Sequence, residues 1–250
     1  MKKFIAAILV LLATNVSILI AQSRSEMPLY RELTKNKNRS ASVSALERVL
    51  KTPENFSAGI LYFAAGVAFR EKRLEDAGFL FYAAQLRRRF DNALFPPVGT
   101  GGDDPMVALA ALQQKIGAEL NRAVMSEPKV FAKALTRVKS WQPKVAANYK
   151  PGWDYSKKTS EKQAVEATAD GRRDFIDHME GFCTLLQDAE YFAAFRTGQD
   201  YNLKFDSKRP SKEAYDAAVQ TMERIEKEKG IAGFAELIKK HKVTVSSSAS

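Results

Sequence analysis

Metal sites and nucleophiles need reactive side chains in clusters, and this chain has few. Its 250 residues contain two histidines, His178 and His241, and a single cysteine, Cys183. A transition-metal site needs three or four His, Cys, Asp or Glu ligands converging on one point. Asp174 and His178 stand four residues apart, which puts both on one helix face, with Asp177 and Glu180 close by. A third soft ligand is missing apart from Cys183, and His178 flanks the apolar pair Phe175 and Phe182. The pattern reads as an interfacial histidine paired with Asp174, so neither a metal nor a cofactor is expected. His241, within Lys239-Lys240-His241-Lys242, reads as a solvated tail residue.

Nucleophilic catalysis finds little more. There is no Gly-x-Ser-x-Gly elbow. Ser126-Glu127-Pro128-Lys129 matches Ser-x-x-Lys, a coincidence at this Ser and Lys content, and Ser126 reads as a helix cap. Cys183 sits in Gly181-Phe182-Cys183-Thr184-Leu185-Leu186, an apolar setting that suits a buried, inert thiol better than an activated one. Gly99-Thr100-Gly101-Gly102 has no Lys-Ser/Thr behind it, and Asp103-Asp104 would repel a phosphate. Paired carboxylates for glycoside hydrolysis stay open, because their separation is a tertiary property.

Binding chemistry is better supplied. The chain carries a formal charge of +10 and 10% aromatic residues. Arg70 and Arg73 flank a helix–helix turn. Arg87-Arg88-Arg89 closes a helix, where the C-terminal dipole favours cations by about 0.3–1 kcal/mol. Lys157-Lys158 and Arg172-Arg173 are further basic pairs. If folding brings Arg70, Arg73, Arg87, Arg88 and Arg89 together with Tyr149, Trp153 and Tyr155, an anion-binding groove results. Otherwise they are separate solvated faces. Trp153, in Lys150-Pro151-Gly152-Trp153-Asp154-Tyr155, is either a partner's anchor or a pin holding its loop to the core.

The elements that must position these residues are helical. Met1-Lys2-Lys3 followed by the apolar Phe4–Ala21 reads as a signal peptide cleaved near Ala21, with an uncleaved anchor as the alternative. Residues 22–44 are polar and read as a flexible arm. Loss of Lys2 and Lys3 lowers the charge from +10 by two, to +8, so the exported protein stays basic. The expected location is periplasmic or secreted, with no membrane span in the mature chain and no nucleic-acid partner.

Helix ends are marked by Thr52-Pro53, Asp104-Pro105, the capping box Ser160-Glu161-Lys162-Gln163, Ser211 and Gly230. Apolar positions recur at helical spacing at Leu109, Leu112, Ile116 and Leu120. They do so again from Phe175 through Met179, Phe182, Leu186 and Ala189 to Ala193. About eight helices result, interrupted by long loops at 91–104 and 143–159, the second a possible domain boundary. Residues 243–250 read as a disordered tail.

Tyr62, Ala65, Gly66 and Phe69, followed by Leu74-Glu75-Asp76-Ala77, Phe81 and Ala84, resemble the two helices of a tetratricopeptide (TPR) unit. The turn between them is one residue shorter than in that repeat, and no second copy recurs. The resemblance covers residues 59–89 and implies a partner-binding scaffold without chemistry of its own. The expected class is thus all-α: antiparallel helical hairpins in a TPR-like array or bundle over residues 45–242. The expected function is a non-enzymatic binding or scaffold protein of the bacterial envelope, meeting a protein or an anionic envelope partner. The alternatives are an envelope hydrolase using paired carboxylates, and a structural component.

Overall fold

Proline at the first turn of a helix forfeits no hydrogen bond, because that N–H has no partner within the helix. Pro28, Pro105 and Pro128 all occupy such positions. The structure, a computed structural model, describes residues 26–35, 38–98, 105–145, 149–203, 208–231 and 233–240. The leader with its Ala21 cleavage position, the Gly99–Gly102 run, Asp103, Asp104, His241 and the tail at 243–250 lie outside the described residues.

Ten α-helices occur among the described residues, and the fold is all-α. They are α1 (Met27–Thr34), α2 (Arg39–Lys51), α3 (Ala58–Arg70), α4 (Leu74–Leu94), α5 (Pro105–Met125), α6 (Pro128–Ser140), α7 (Glu161–Leu186), α8 (Ala189–Leu203), α9 (Lys212–Lys229) and α10 (Phe234–Lys240). A 3-10 turn, Pro53–Asn55, precedes α3, and an isolated antiparallel bridge joins Pro97 to Tyr155. The chain divides into two compact units, residues 1–176 and 177–250, and the division falls inside α7 rather than at 143–159. The 143–159 loop is instead tied to the first unit by its own side chains, as described below.

In the first unit α3 and α4 form an antiparallel hairpin. Ala58, Ile60, Leu61, Tyr62, Ala64, Ala65, Val67 and Ala68 are all buried, so α3 is enclosed on most of its circumference. Helix α4 packs against α3, α5 and α6. Gly117 of α5 permits that approach: a Cβ there would lie 2.7 Å from Cζ of Phe81. The turn is a Schellman motif, with Arg73 N donating to Ala68 O at 2.9 Å and Lys72 N to Phe69 O at 3.0 Å. Its left-handed position, φ 60°, is filled by Lys72 rather than glycine. In the second unit α8 packs on α9, with α10 against both. Buried Glu226 accepts from Tyr191 Oη, Gly233 N and Ala235 N.

Several sequence expectations need correcting. Most of the segment read as a flexible arm is helical: α1 buries Leu29, Tyr30 and Leu33, an apolar stripe that outweighs the polar composition around it. Thr52-Pro53 opens the 3-10 turn without a side-chain cap, whereas the cap of α3 is Ser57, whose Oγ accepts from Ile60 N. The stripe from Phe175 to Ala193 is two helices. Asp188 divides them, its Oδ1 accepting from Glu190 N and Tyr191 N at 3.1 Å each. Ser126 caps no helix start, since its Oγ donates back to Arg122 O. The capping box at Ser160 and Gln163 forms reciprocally, Ser211 Oγ accepts from Ala214 N, and Gly230 ends α9 at φ 64°.

Candidate binding site at the open end of the hairpin

An antiparallel hairpin has a closed end at its turn and an open end, where here α3 starts and α4 stops. Arg87 and Asp91 lie one turn apart near the end of α4, and both are completely buried. Arg87 Nε lies 2.9 Å from Asp91 Oδ1 and 3.0 Å from Oδ2. Its Nη1 donates to two carbonyls, Glu54 O in the 3-10 turn and Lys144 O in the 141–160 segment, each at 2.8 Å. Tyr149 donates its hydroxyl to Asp91 Oδ2, and the Arg87 guanidinium carbon stands 4.1 Å from the Tyr149 ring centre. One guanidinium thus fastens three stretches of chain. Arg87 Nη2 has no hydrogen-bond partner among the described residues.

Burial pushes the Asp91 carboxyl above its ordinary value, against the pull of Arg87 and Tyr149. Burial, then the charge of Asp91, raises Tyr149 as well. Glu26 reaches the same cluster at the start of α1. It accepts from Ser57 N at 2.9 Å and Ser57 Oγ at 2.5 Å, placing a carboxylate at the positive end of α3. Burial lifts Glu26 too, Ser57 and Arg87 opposing.

The last carbonyls of a helix lack partners within it. At α4 the loop supplies them. Thr159 N donates to Leu94 O and Thr159 Oγ1 to Ala93 O, both at 2.9 Å. Trp153 Nε1 donates to Phe95 O at 2.8 Å, and Trp153 is only 5% exposed. The Pro151-Gly152 turn, with Gly152 at φ 91°, aims it inward. Val98 N donates to Asp154 O at 3.1 Å, so the two loops brace each other. The buried Phe95 ring is 5.9 Å from Tyr149, 4.9 Å from Tyr155 and 5.5 Å from Lys158 Nζ. On this fixed backbone Tyr155 is 36% and Val98 61% exposed. Lys144, Lys150, Lys157 and Lys158 are also exposed.

Of the eight residues singled out from the sequence, Arg87, Tyr149, Trp153 and Tyr155 therefore meet at the open end. Arg88 is half-buried, and Arg89 donates to Gly171 O at 2.9 Å with its guanidinium 5.2 Å from Phe175. Arg70 and Arg73 are elsewhere: fourteen residues of helix, about 21 Å, separate Arg73 from Arg87. Arg73 is paired with Glu47 and Asp76, and Arg70 Nη2 lies 3.5 Å from Leu33 O. The five arginines do not form one groove. Asp91, Glu26 and Ser57 complete the cluster without having been singled out. Only the Arg87/Asp91 pair left a trace in the sequence, its four-residue spacing.

Elsewhere, the His178 ring centre lies 4.4 Å from that of Phe234, and Asp174 is 4.0 Å from Arg173. Cys183 is buried, which raises its thiol. No group of three or more His, Cys, Asp or Glu placed to hold a metal occurs among the described residues. Comparison with family models, with curated proteins and with solved structures finds no match to this chain.

Proposed function

We propose that this chain is an exported, non-enzymatic helical binding protein of the bacterial envelope that recognises its partner with the braced loops at the open end of the α3–α4 hairpin. The observation that carries the reading is the bracing itself. Trp153, Thr159, Val98 and Tyr149 are each hydrogen-bonded to fixed backbone or buried side chains, while Tyr155 and a run of lysines stay in solvent between them. A loop held in one conformation loses little entropy on binding, and an exposed aromatic beside cations suits a negatively charged partner. The helical hairpin and its TPR-like spacing fit a scaffold, and the leader fits export.

A hydrolase using Asp91 and Glu26 has less support. Both carboxyls are raised by burial, but Asp91 is held by Arg87 and Tyr149 and Glu26 by Ser57. A structural component linked through Cys183 is disfavoured by the burial of that thiol.

The test is affinity capture from envelope extract with the native chain and with a Tyr155→Ser, Lys157→Glu, Lys158→Glu variant. Arg87 is unsuitable here, because its loss would disturb folding. A partner retained by the native chain and lost by the variant is expected. Equal capture by both overturns the assignment of this surface.

A further inference from the structure

The proposal above leaves the partner as a protein or an anionic envelope component, and two observations narrow it. The first is charge. Residues 141–160 contain Lys144, Lys150, Lys157 and Lys158 against a single carboxylate, Asp154. Lys150, Lys157 and Lys158 make no ion pair among the described residues, whereas Arg73, Arg137 and Arg39 elsewhere in this unit are matched to Glu47, Asp76, Glu75 and Glu71. The second is the exposed apolar pair Val98 and Tyr155, held beside those lysines by the Pro97–Tyr155 bridge.

We infer that the open end of the hairpin is a docking surface for an anionic lipid bilayer, with Lys150, Lys157 and Lys158 facing the headgroups and Tyr155 and Val98 at the interface. Unpaired lysines suit a diffuse negative surface, and tyrosine is at home at headgroup depth. This rests on the binding reading above and names its partner.

The experiment is co-sedimentation of the protein, recovered after export through its own leader, with vesicles of phosphatidylethanolamine plus phosphatidylglycerol and with phosphatidylcholine alone. Binding to the anionic vesicles only is expected, with loss in high salt. Lys150→Glu, Lys157→Glu, Lys158→Glu should weaken it more than about a hundredfold, each lysine being worth about fivefold at such a surface. A control reversing the exposed Arg122, Lys129 and Lys133 should leave it nearly unchanged. Equal binding to both vesicle types, or equal loss in the control, overturns the lipid assignment. If vesicles are ignored while capture of a lipid-free envelope protein still depends on Lys157 and Lys158, the lipid assignment fails and the binding reading stands. If neither depends on these residues, both fail.

Discussion

The two ends of the α3–α4 hairpin use positive charge in opposite ways. At the closed end the guanidiniums lie near the surface and are paired: Arg39 with Glu71, Arg73 with Glu47 and Asp76, and Arg137 with Glu75 and Asp76. Such exposed pairs hold neighbouring helices in register but add little stability, since water solvates the charges almost as well. At the open end one arginine has been taken wholly inside, and the lysines around it are left to solvent. A buried guanidinium is tolerated when a counter-charge and acceptors meet it, and Arg87 directs Nε to Asp91 and Nη1 to carbonyls from two other segments. The lesson is that the closed end is neutralised and self-contained, whereas the open end is internally rigid and externally unbalanced. The second combination suits the anionic partner proposed above.

The sharpest way to break this contrast is Arg87→Met. It leaves Asp91 buried without its counter-charge, and a loss of about 3–5 kcal/mol is expected in denaturant unfolding. A loss below about 1 kcal/mol would mean that Arg87 behaves like the surface arginines. Next comes Trp153→Ala, which empties a core site and frees the loop. About 3–5 kcal/mol is expected, while Trp153→Phe, keeping most of the volume and losing the bond to Phe95 O, should cost nearer 1 kcal/mol. A similar cost for both would show that the hydrogen bond, rather than packing, pins the loop.

A third measurement sharpens the comparison through pH. Burial raises Glu26, so its protonated form is favoured in the folded chain. A raised carboxyl contributes stability that is complete below its unfolded pKa and lost as pH climbs through the folded value. Glu26→Gln cannot titrate. As pH rises above the ordinary glutamate range of about 4, the stability difference should therefore shift in favour of the variant. A difference independent of pH would remove Glu26 from the buried cluster. The smallest effect belongs to the closed end: Arg73→Ala should cost less than about 1 kcal/mol, and less still in high salt. A larger, salt-independent loss would erase the distinction between the two ends.

Legibility in the sequence followed the range of the interactions. The all-α class, the capping box at Ser160 and Gln163, the Ser211 cap, the Gly230 stop and the burial of Cys183 were all readable, because each depends on neighbours within about one turn. Errors came where a short signal competed with polar composition. Leu29, Tyr30 and Leu33 are a single stripe within a stretch rich in charge, so α1 read as an arm. Asp188 interrupts an apolar period that continues in phase across it, so two helices read as one.

By itself, then, the sequence determined the helical class, several of the helix ends and which residues share a face, including Arg87 with Asp91. The tertiary structure alone decided that this face turns inward. The partners that make burial tolerable lie 33 and 57 residues from Arg87 along the chain, at Glu54 and Lys144, and no local pattern announces them. The same holds for Arg70 and Arg73, whose kinship with Arg87 in composition was undone by about 21 Å of intervening helix. Local rules act through backbone hydrogen bonds and i, i+4 contacts, which composition and spacing encode directly. Desolvation of a charge depends on every segment that closes over it, and that is settled only when the chain is folded.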